Sequence, residues 1–224
     1  MRKKLKIWCI SDTHGKHTKL KLPKNIDVVI HAGDATIQRD KFLNENELRT
    51  FFNWFSSLPY KYKLYIPGNH DTSYPANLVM VPENITVLCH NEIEIEGVKF
   101  FGSPYTPSFG HGWAYNVDRD KIQNYWDQIP KDTNILITHG PAKGILDLTR
   151  DKNNRELRRC GCDALLDTIN ELKPKYHIFG HIHDEPGINN AGTLKLAKLE
   201  TIFVNASIVN YYHESVNPGI IIKV

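Results

Sequence analysis

The sequence predicts an α/β protein with stacked sheets inside and helices outside. Three observations predict it. Five short apolar runs rich in Ile and Val do not alternate strictly, the mark of strands buried on both faces. Segments with helical spacing lie between them. A segment with true alternation, 92–102, adds an antiparallel hairpin with one wet face. Elements of these kinds must cover one another in layers.

The runs come in order. LKIWCI (5–10) leads into SDTHG, and IDVVIHA (26–32) leads into GDAT. KLYI (63–66) leads into PGNHD, NILIT (134–138) into HGP, and YHIF (176–179) into GHIH. A helix is expected over 44–58, with Glu45 and Glu47 in an early turn and Leu48, Phe51, Phe52 and Phe55 on one face. A second is expected over 118–129, opened by Asp118 as cap. A third is expected over 160–172, with Leu165, Leu166, Ile169 and Leu172 aligned. In the hairpin, Ile93, Ile95, Val98 and Phe100 share a face and Glu96-Gly97 reverses the chain. Stretches 193–204 and 219–224 read as further strands. No repeat or linker divides the chain, so 1–224 reads as a single domain.

Composition narrows the function. The 224 residues are 41% hydrophobic and 24% charged, ordinary for a globular protein. A net charge of +3 is too weak to argue for nucleic acid. Cys9 and Cys89 read as buried core thiols, and Cys160-Gly161-Cys162 lacks the spacing of redox or zinc pairs. The absence of a disulfide framework fits a reducing compartment. The first apolar stretch is too short for a secretory signal, and no run approaches the ~18 residues of a membrane span. The expectation is a cytoplasmic protein with no membrane partner. There is no GxxxxGK[ST] and no credible GxGxxG, which argues against an NTPase or a dehydrogenase.

What the five runs share is how they end. Ligands in open α/β sheets collect outside the carboxyl ends of strands. Here those ends carry Asp12 and His14, then Asp34, then Asn69 and His70, then His139, then His181 and His183. In extended backbone, residues i and i+2 point to one side, so D-x-H and H-x-H can each deliver two ligands. Carboxylate, imidazole and one amide oxygen, without thiolate, suit Mn²⁺, Fe or Zn²⁺, and Mg²⁺ less well. Asp12, His14, Asp34, Asn69, His139, His181 and His183 are too many for one ion. They match two divalent ions roughly 3.5–4 Å apart.

The ordered set D-x-H, GD, GNHD, HG and GHIH, spanning residues 9–183, resembles the calcineurin-like metallophosphoesterases. HAGDAT, GSPYTPSFGHGWAYN, ILITHGPAKGILD, GCDALL, PKYHIFGHIH and VNASIVN are similar to the MPPED-like branch of that superfamily. The resemblance implies the calcineurin-like fold, two stacked mixed β-sheets flanked by helices in an αββα sandwich. It implies that Asp12, His14 and His183 hold one metal, that Asn69, His139 and His181 hold the other, and that Asp34 bridges. It further implies that His70 reaches the leaving-group oxygen while Asp71 steadies its imidazole. Some members of the branch replace a GH-x-H histidine with glycine and lose metal affinity. Both histidines stand here, so a fully metallated site, Mn first among the candidates, is implied.

The expected reaction is phosphodiester hydrolysis by a metal-bridging hydroxide, with cyclic nucleotides or other small nucleotide diesters as substrate. A nuclease or a phosphomonoesterase acting on proteins is the alternative, and a non-catalytic scaffold is a weaker one. Other residues stay open. Phe109, His111 and Trp113 form either a base-stacking wall or a packed aromatic loop. RDKNNRELRR (150–159) either meets nucleotide charge or is a solvated loop and helix start. His31 reads as a core residue, and His17, His90, His177 and His213 as structural or surface.

Overall fold

The structure is a computed structural model and describes residues 4–151 and 153–224. In chain order its strands are β1 (Lys6–Ile10), β2 (Val28–His31), β3 (Tyr62–Tyr65), β4 (Thr86–Val87), β5 (Asn91–Ile95), β6 (Val98–Ser103), β7 (Thr106–Pro107) and β8 (Asn116–Val117). They continue as β9 (Ile135–Thr138), β10 (Leu148–Arg150), β11 (Leu157–Arg159), β12 (Tyr176–Phe179), β13 (Gly192–Lys195), β14 (Ile202–Asn205) and β15 (Ile220–Lys223). The helices are α1 (Lys41–Ser57), α2 (Gln123–Trp126) and α3 (Asp163–Leu172).

Two mixed sheets result. The first runs β15-β1-β2-β3-β4, with β1 to β4 parallel and β15 antiparallel beside β1. The second runs β13-β14-β12-β9-β6-β5, with a parallel centre and an antiparallel strand at each edge.

Alternate residues of each central strand face opposite layers, which explains the unbroken apolar runs. Ile7, Cys9, Val28, Ile30 and Leu64 meet Phe100, Ile135, Ile137, Ile178 and Val204 in the core between the sheets. Trp8, Ile10, Val29 and Tyr65 point the other way and pack under α1. Leu136, Phe179 and Phe203 point outward from the second sheet onto Leu165 and Ile169 of α3. The layer order is therefore helix, sheet, sheet, helix, as expected. α1 buries Leu48, Phe51, Phe52 and Phe55. Each such side chain contributes about 1.5–3 kcal/mol, enough to pin the helix to its sheet.

Several boundaries differ from the sequence reading. α1 starts three residues before 44 because Asp40 caps it, accepting from the amides of Phe42 and Leu43. The 118–129 segment forms only the short α2. Most bonds there span three residues (Lys121 to Asp118, Asn124 to Lys121, Gln128 to Tyr125), so the chain coils more tightly than an α-helix. α3 begins at Asp163, because Cys160 is held by the Asp147 carbonyl and Gly161 by its carboxylate. The basic 150–159 stretch is not a helix start but part of the β10–β11 hairpin. The β5–β6 hairpin turns at Glu96-Gly97 as expected, both with positive φ. All four cysteines are free, and Cys89 is only half-buried, beside the Tyr115 hydroxyl. No helix among the described residues is long and apolar enough to cross a membrane.

Candidate metal centre

The carboxyl ends of β1, β2, β3, β9 and β12 meet at one place between the sheets. All seven expected metal-binding side chains reach it. Asp12 accepts from the His181 amide at 3.0 Å and faces His183 Nε2 at 3.3 Å. Asp34 faces His139 Nε2 at 3.3 Å, and the Asn69 Oδ1 lies 2.9 Å from the same nitrogen. His14 and His183 rings stand 5.3 Å apart, His139 and His181 rings 4.9 Å apart. Donor atoms of His14, Asp34 and His70 lie within 4.8 Å of one another, and so do those of Asp34, His139 and His181. Asp34 belongs to both groups, which is the position a bridging ligand needs.

The route to this geometry is not the extended backbone expected of D-x-H and H-x-H. Asp12, His14, Asp34 and His181 all have positive φ, from 39° to 69°. Each is a left-handed kink that an L-residue adopts at a cost of ~1–3 kcal/mol and that clusters at functional sites. Two glycines make the packing feasible. A Cβ on Gly33, itself at φ 102°, would run into the His139 ring, and one on Gly180 would run into the Asp12 carboxylate. The backbone therefore passes against the ligand side chains with no room for a methyl group.

Neighbouring carbonyls set the imidazoles. His14 Nδ1 donates to the Thr36 carbonyl at 2.7 Å and His139 Nδ1 to the Ala32 carbonyl at 2.9 Å. Each turns Nε2 toward the centre, the arrangement that orients a metal-ligating histidine. His14 Nε2 is buried without a hydrogen-bond partner among the described residues, as a nitrogen awaiting a cation would be. The donor set and this unpaired nitrogen fit two divalent cations.

The buried carboxylates and imidazoles set one another's charge. Burial would raise Asp12, but the hydrogen bond and charge of His183 outweigh it and hold the carboxyl well below the usual range. Asp34 is likewise held low, against its burial, chiefly by His139. Burial lowers His14 to about 4 and His181 to about 3, so both are neutral donors at neutral pH. His139 goes the other way, to about 9, because the Asp34 charge overcomes its burial.

His70 sits beside the centre. Its ring lies 4.8 Å from His14 and 4.5 Å from Trp113, and its Nδ1 donates to the Ile37 carbonyl at 3.1 Å. This corrects the expectation for Asp71. Its carboxylate does not steady the His70 imidazole. It accepts instead from the amides of Asp34, Thr36 and Gly68 and from the Thr36 hydroxyl, at 2.8–3.1 Å. Asp71 is fully buried, and burial with the Asp34 charge lifts it to about 6. It ties the loop after β2 to the loop after β3 and positions Asp34 by its backbone. Asn44 of α1 does related work that the sequence did not reveal: its amide donates to the His70 carbonyl and to the Thr36 hydroxyl, both at 2.7 Å.

Phe109 and Trp113 flank the centre, Phe109 at 5.1 Å from the His181 ring. Arg39 stacks over Trp113 and donates to the His111 carbonyl, so His111 contributes backbone to this wall. His31, His177, His17 and His90 pack among aromatic rings, as expected. His213 does not stay away. Its ring stands 4.6 Å from His14 and 5.6 Å from His183. No motif surrounds it, so only the tertiary fold reveals it.

Known proteins resemble this chain in sequence and in fold. The sequence model of the family described as "Calcineurin-like phosphoesterase" matches residues 5–185. The chain is 35% identical to metallophosphoesterase domain-containing protein 1 of Homo sapiens, over 96% of this chain and 69% of that protein. It is 36% identical to UPF0046 protein K07C11.7 of Caenorhabditis elegans, over 92% of this chain and 70% of the relative. Among solved structures, TT1561 of Thermus thermophilus superposes with a TM-score of 0.59 at 14% identity, covering 91% of this chain and 89% of the other; that likeness concerns the fold. The family match over most of the chain and the identity to these relatives show that the chain belongs to the calcineurin-like phosphoesterases, metal-dependent enzymes, in their metallophosphoesterase domain-containing and UPF0046 branch.

Proposed function

We propose that the protein is a two-metal phosphodiesterase acting on small nucleotide diesters, cyclic nucleotides among them. The observation that carries this reading is the convergence of seven donor side chains from two sheets, with Asp34 common to two donor groups, beside His70. In this reading Asp12, His14 and His183 hold one cation, Asn69, His139 and His181 the other, and Asp34 joins them. Bound there, two divalent cations would supply Lewis-acid polarisation of phosphate oxygens and a water acidic enough to attack near neutral pH. Mn²⁺, Fe or Zn²⁺ suits these donors better than Mg²⁺.

The chain's own groups supply the rest. The Ile37 carbonyl and Trp113 hold the His70 ring at the edge of the centre. From there Nε2 donates a proton to the departing oxygen, help worth ~10²–10⁴ in rate. The alkoxide of a diester leaves poorly, so this help counts most for diesters. Beside His181 lies a cleft of about 450 Å³ lined by Phe109, Arg119, Arg158 and Arg159. A ring face and guanidinium groups suit a nucleotide's base and remaining charge. A cleft of this size suits a small ligand better than a polymer.

The runner-up is a phosphomonoesterase, because the same metals serve both reactions. Comparing turnover of bis-p-nitrophenyl phosphate with p-nitrophenyl phosphate separates the two; a faster monoester rate would sink the diester reading. A panel of 2′,3′- and 3′,5′-cyclic nucleotides with Mn²⁺ then tests the nucleotide class.

A further inference from the structure

After β14 the chain returns to the centre. Ser207 bridges Ser11 beside Asp12, and the Ile208 amide donates to the Ser11 carbonyl at 3.0 Å. Residues 210–214 then form a tight turn. The Asn210 side-chain oxygen accepts from the amides of Tyr212 and Glu214, both at 3.0 Å, and the His213 amide donates to the Asn210 carbonyl at 2.9 Å. The Tyr211 amide donates to the Asp184 carbonyl at 2.8 Å, so the turn is fastened to the residue that follows His183.

Within this turn Tyr211 and Tyr212 are exposed, while His213 turns inward and is half-buried. It does so with φ at 55°, a left-handed conformation that glycine or asparagine would adopt more readily. Among the described residues its ring meets two others, both imidazoles, those of His14 and His183. One ring nitrogen of each of the three lies within 4.8 Å of the other two. His14 Nδ1 is committed to the Thr36 carbonyl, so its unpaired Nε2 is the nitrogen free to ligate there. The lone pair of His14 Nε2 finds no hydrogen-bond donor among the described residues, and a cation standing among the three rings would take it up. Backbone strain held by an elaborate turn, aimed at that spot, has a function to account for it.

We propose that His213 is a further ligand of the cation held by His14 and His183. This rests on the two-metal reading above. It makes the two halves of the centre unequal. One half gathers three imidazoles with Asp12 and Asp34; the other has two imidazoles with Asp34 and Asn69. Imidazole suits Zn, Fe, Cu and Ni, whereas Mg and Mn prefer oxygen. The half that His213 completes is therefore the tighter and the more selective for the later transition metals.

The test uses metal-free protein titrated with Co²⁺, read by visible absorption and by calorimetry. His213→Gly is the variant of choice, because glycine relaxes the left-handed residue and leaves the turn intact. The expected result is that one of two Co²⁺ ions binds ~10-fold or more weakly in the variant, with a changed absorption band. The second ion binds as before, and the metal-free variant melts no lower than the parent. Two ions of unchanged affinity and spectrum in His213→Gly would overturn the ligand assignment. A raised KM with unchanged metal binding would do the same and place His213 on substrate. If the parent protein itself fails to bind a pair of ions, the two-metal reading falls instead, so the two failures are told apart.

Discussion

The first sheet sends Asp12, Asp34 and Asn69 to the centre along with His14 and His70, whereas the second sends only imidazoles, from His139, His181 and His183. Every oxygen donor thus comes from one layer. The layers face each other directly through Asp12–His183 and Asp34–His139, both at 3.3 Å. The carboxylates of one sheet meet the imidazoles of the other. The difference teaches that the centre is a property of the stack and of neither sheet alone. Negative charge is concentrated on one side, and the other side completes the coordination.

The sharpest way to break this asymmetry is to remove one donor from each side. Asp34→Ala should lose both cations, since Asp34 belongs to two donor groups. His181→Ala should lose one and keep the other. Elemental analysis of the purified proteins decides; equal losses from the two variants would show that the sheets are interchangeable here.

A second experiment separates holding metal from using it. His70→Ala should keep both cations yet lose ~10²–10⁴ of its turnover on a diester. Unchanged turnover at full metal content would remove His70 from the reaction.

Away from the centre the two layers should behave alike. Phe51 seals the outer face of the first sheet and Phe203 that of the second, both fully buried. Replacing either by Ala should cost about 3–5 kcal/mol in urea unfolding. A much smaller loss on one side would mean that the layers do not share the stability of the stack.

The smallest effect concerns acid. His31 and His177 lie on the outer faces of opposite sheets, against Thr13 and Thr138 respectively. Burial lowers each to about 3. The neutral form is therefore the folded form, and the unfolded chain, near 6.5, takes up protons first. Stability from each is complete above about 6.5 and drains away as pH falls toward 3. His177→Leu should flatten that decline in the urea midpoint; an unchanged slope would assign the acid sensitivity elsewhere.

The frame is legible in the sequence for a physical reason. Strands buried on both faces must be apolar throughout, so their polar ends stand out at Asp12, Asp34, Asn69, His139 and His181. Helix α1 is visible from Leu48, Phe51, Phe52 and Phe55 because its stripe is wide. What cannot be read depends on partners distant in the chain. The motif suggests that Asp71 holds the neighbouring ring of His70, but its acceptor oxygens are taken by amides of Asp34 and Thr36. The 150–159 stretch resembles a helix start because its charges carry no strand period; pairing with Leu148–Arg150 decides it. His213 is silent in the sequence because its turn is fixed through Asp184, a contact that no local pattern encodes. The left-handed backbone at Asp12 and His14 is silent too, since Asp and His adopt it more readily than most residues but too seldom for either to announce a kink.

The glycines packed against the ligands carry a last consequence. In a library covering every substitution, Gly33 and Gly180 should tolerate replacement as poorly as the aspartates and histidines themselves. An added carbon at Gly180 displaces Asp12, and one at Gly33 displaces His139. A screen that scores only survival of activity would therefore mark as chemical participants two positions that have no side chain at all.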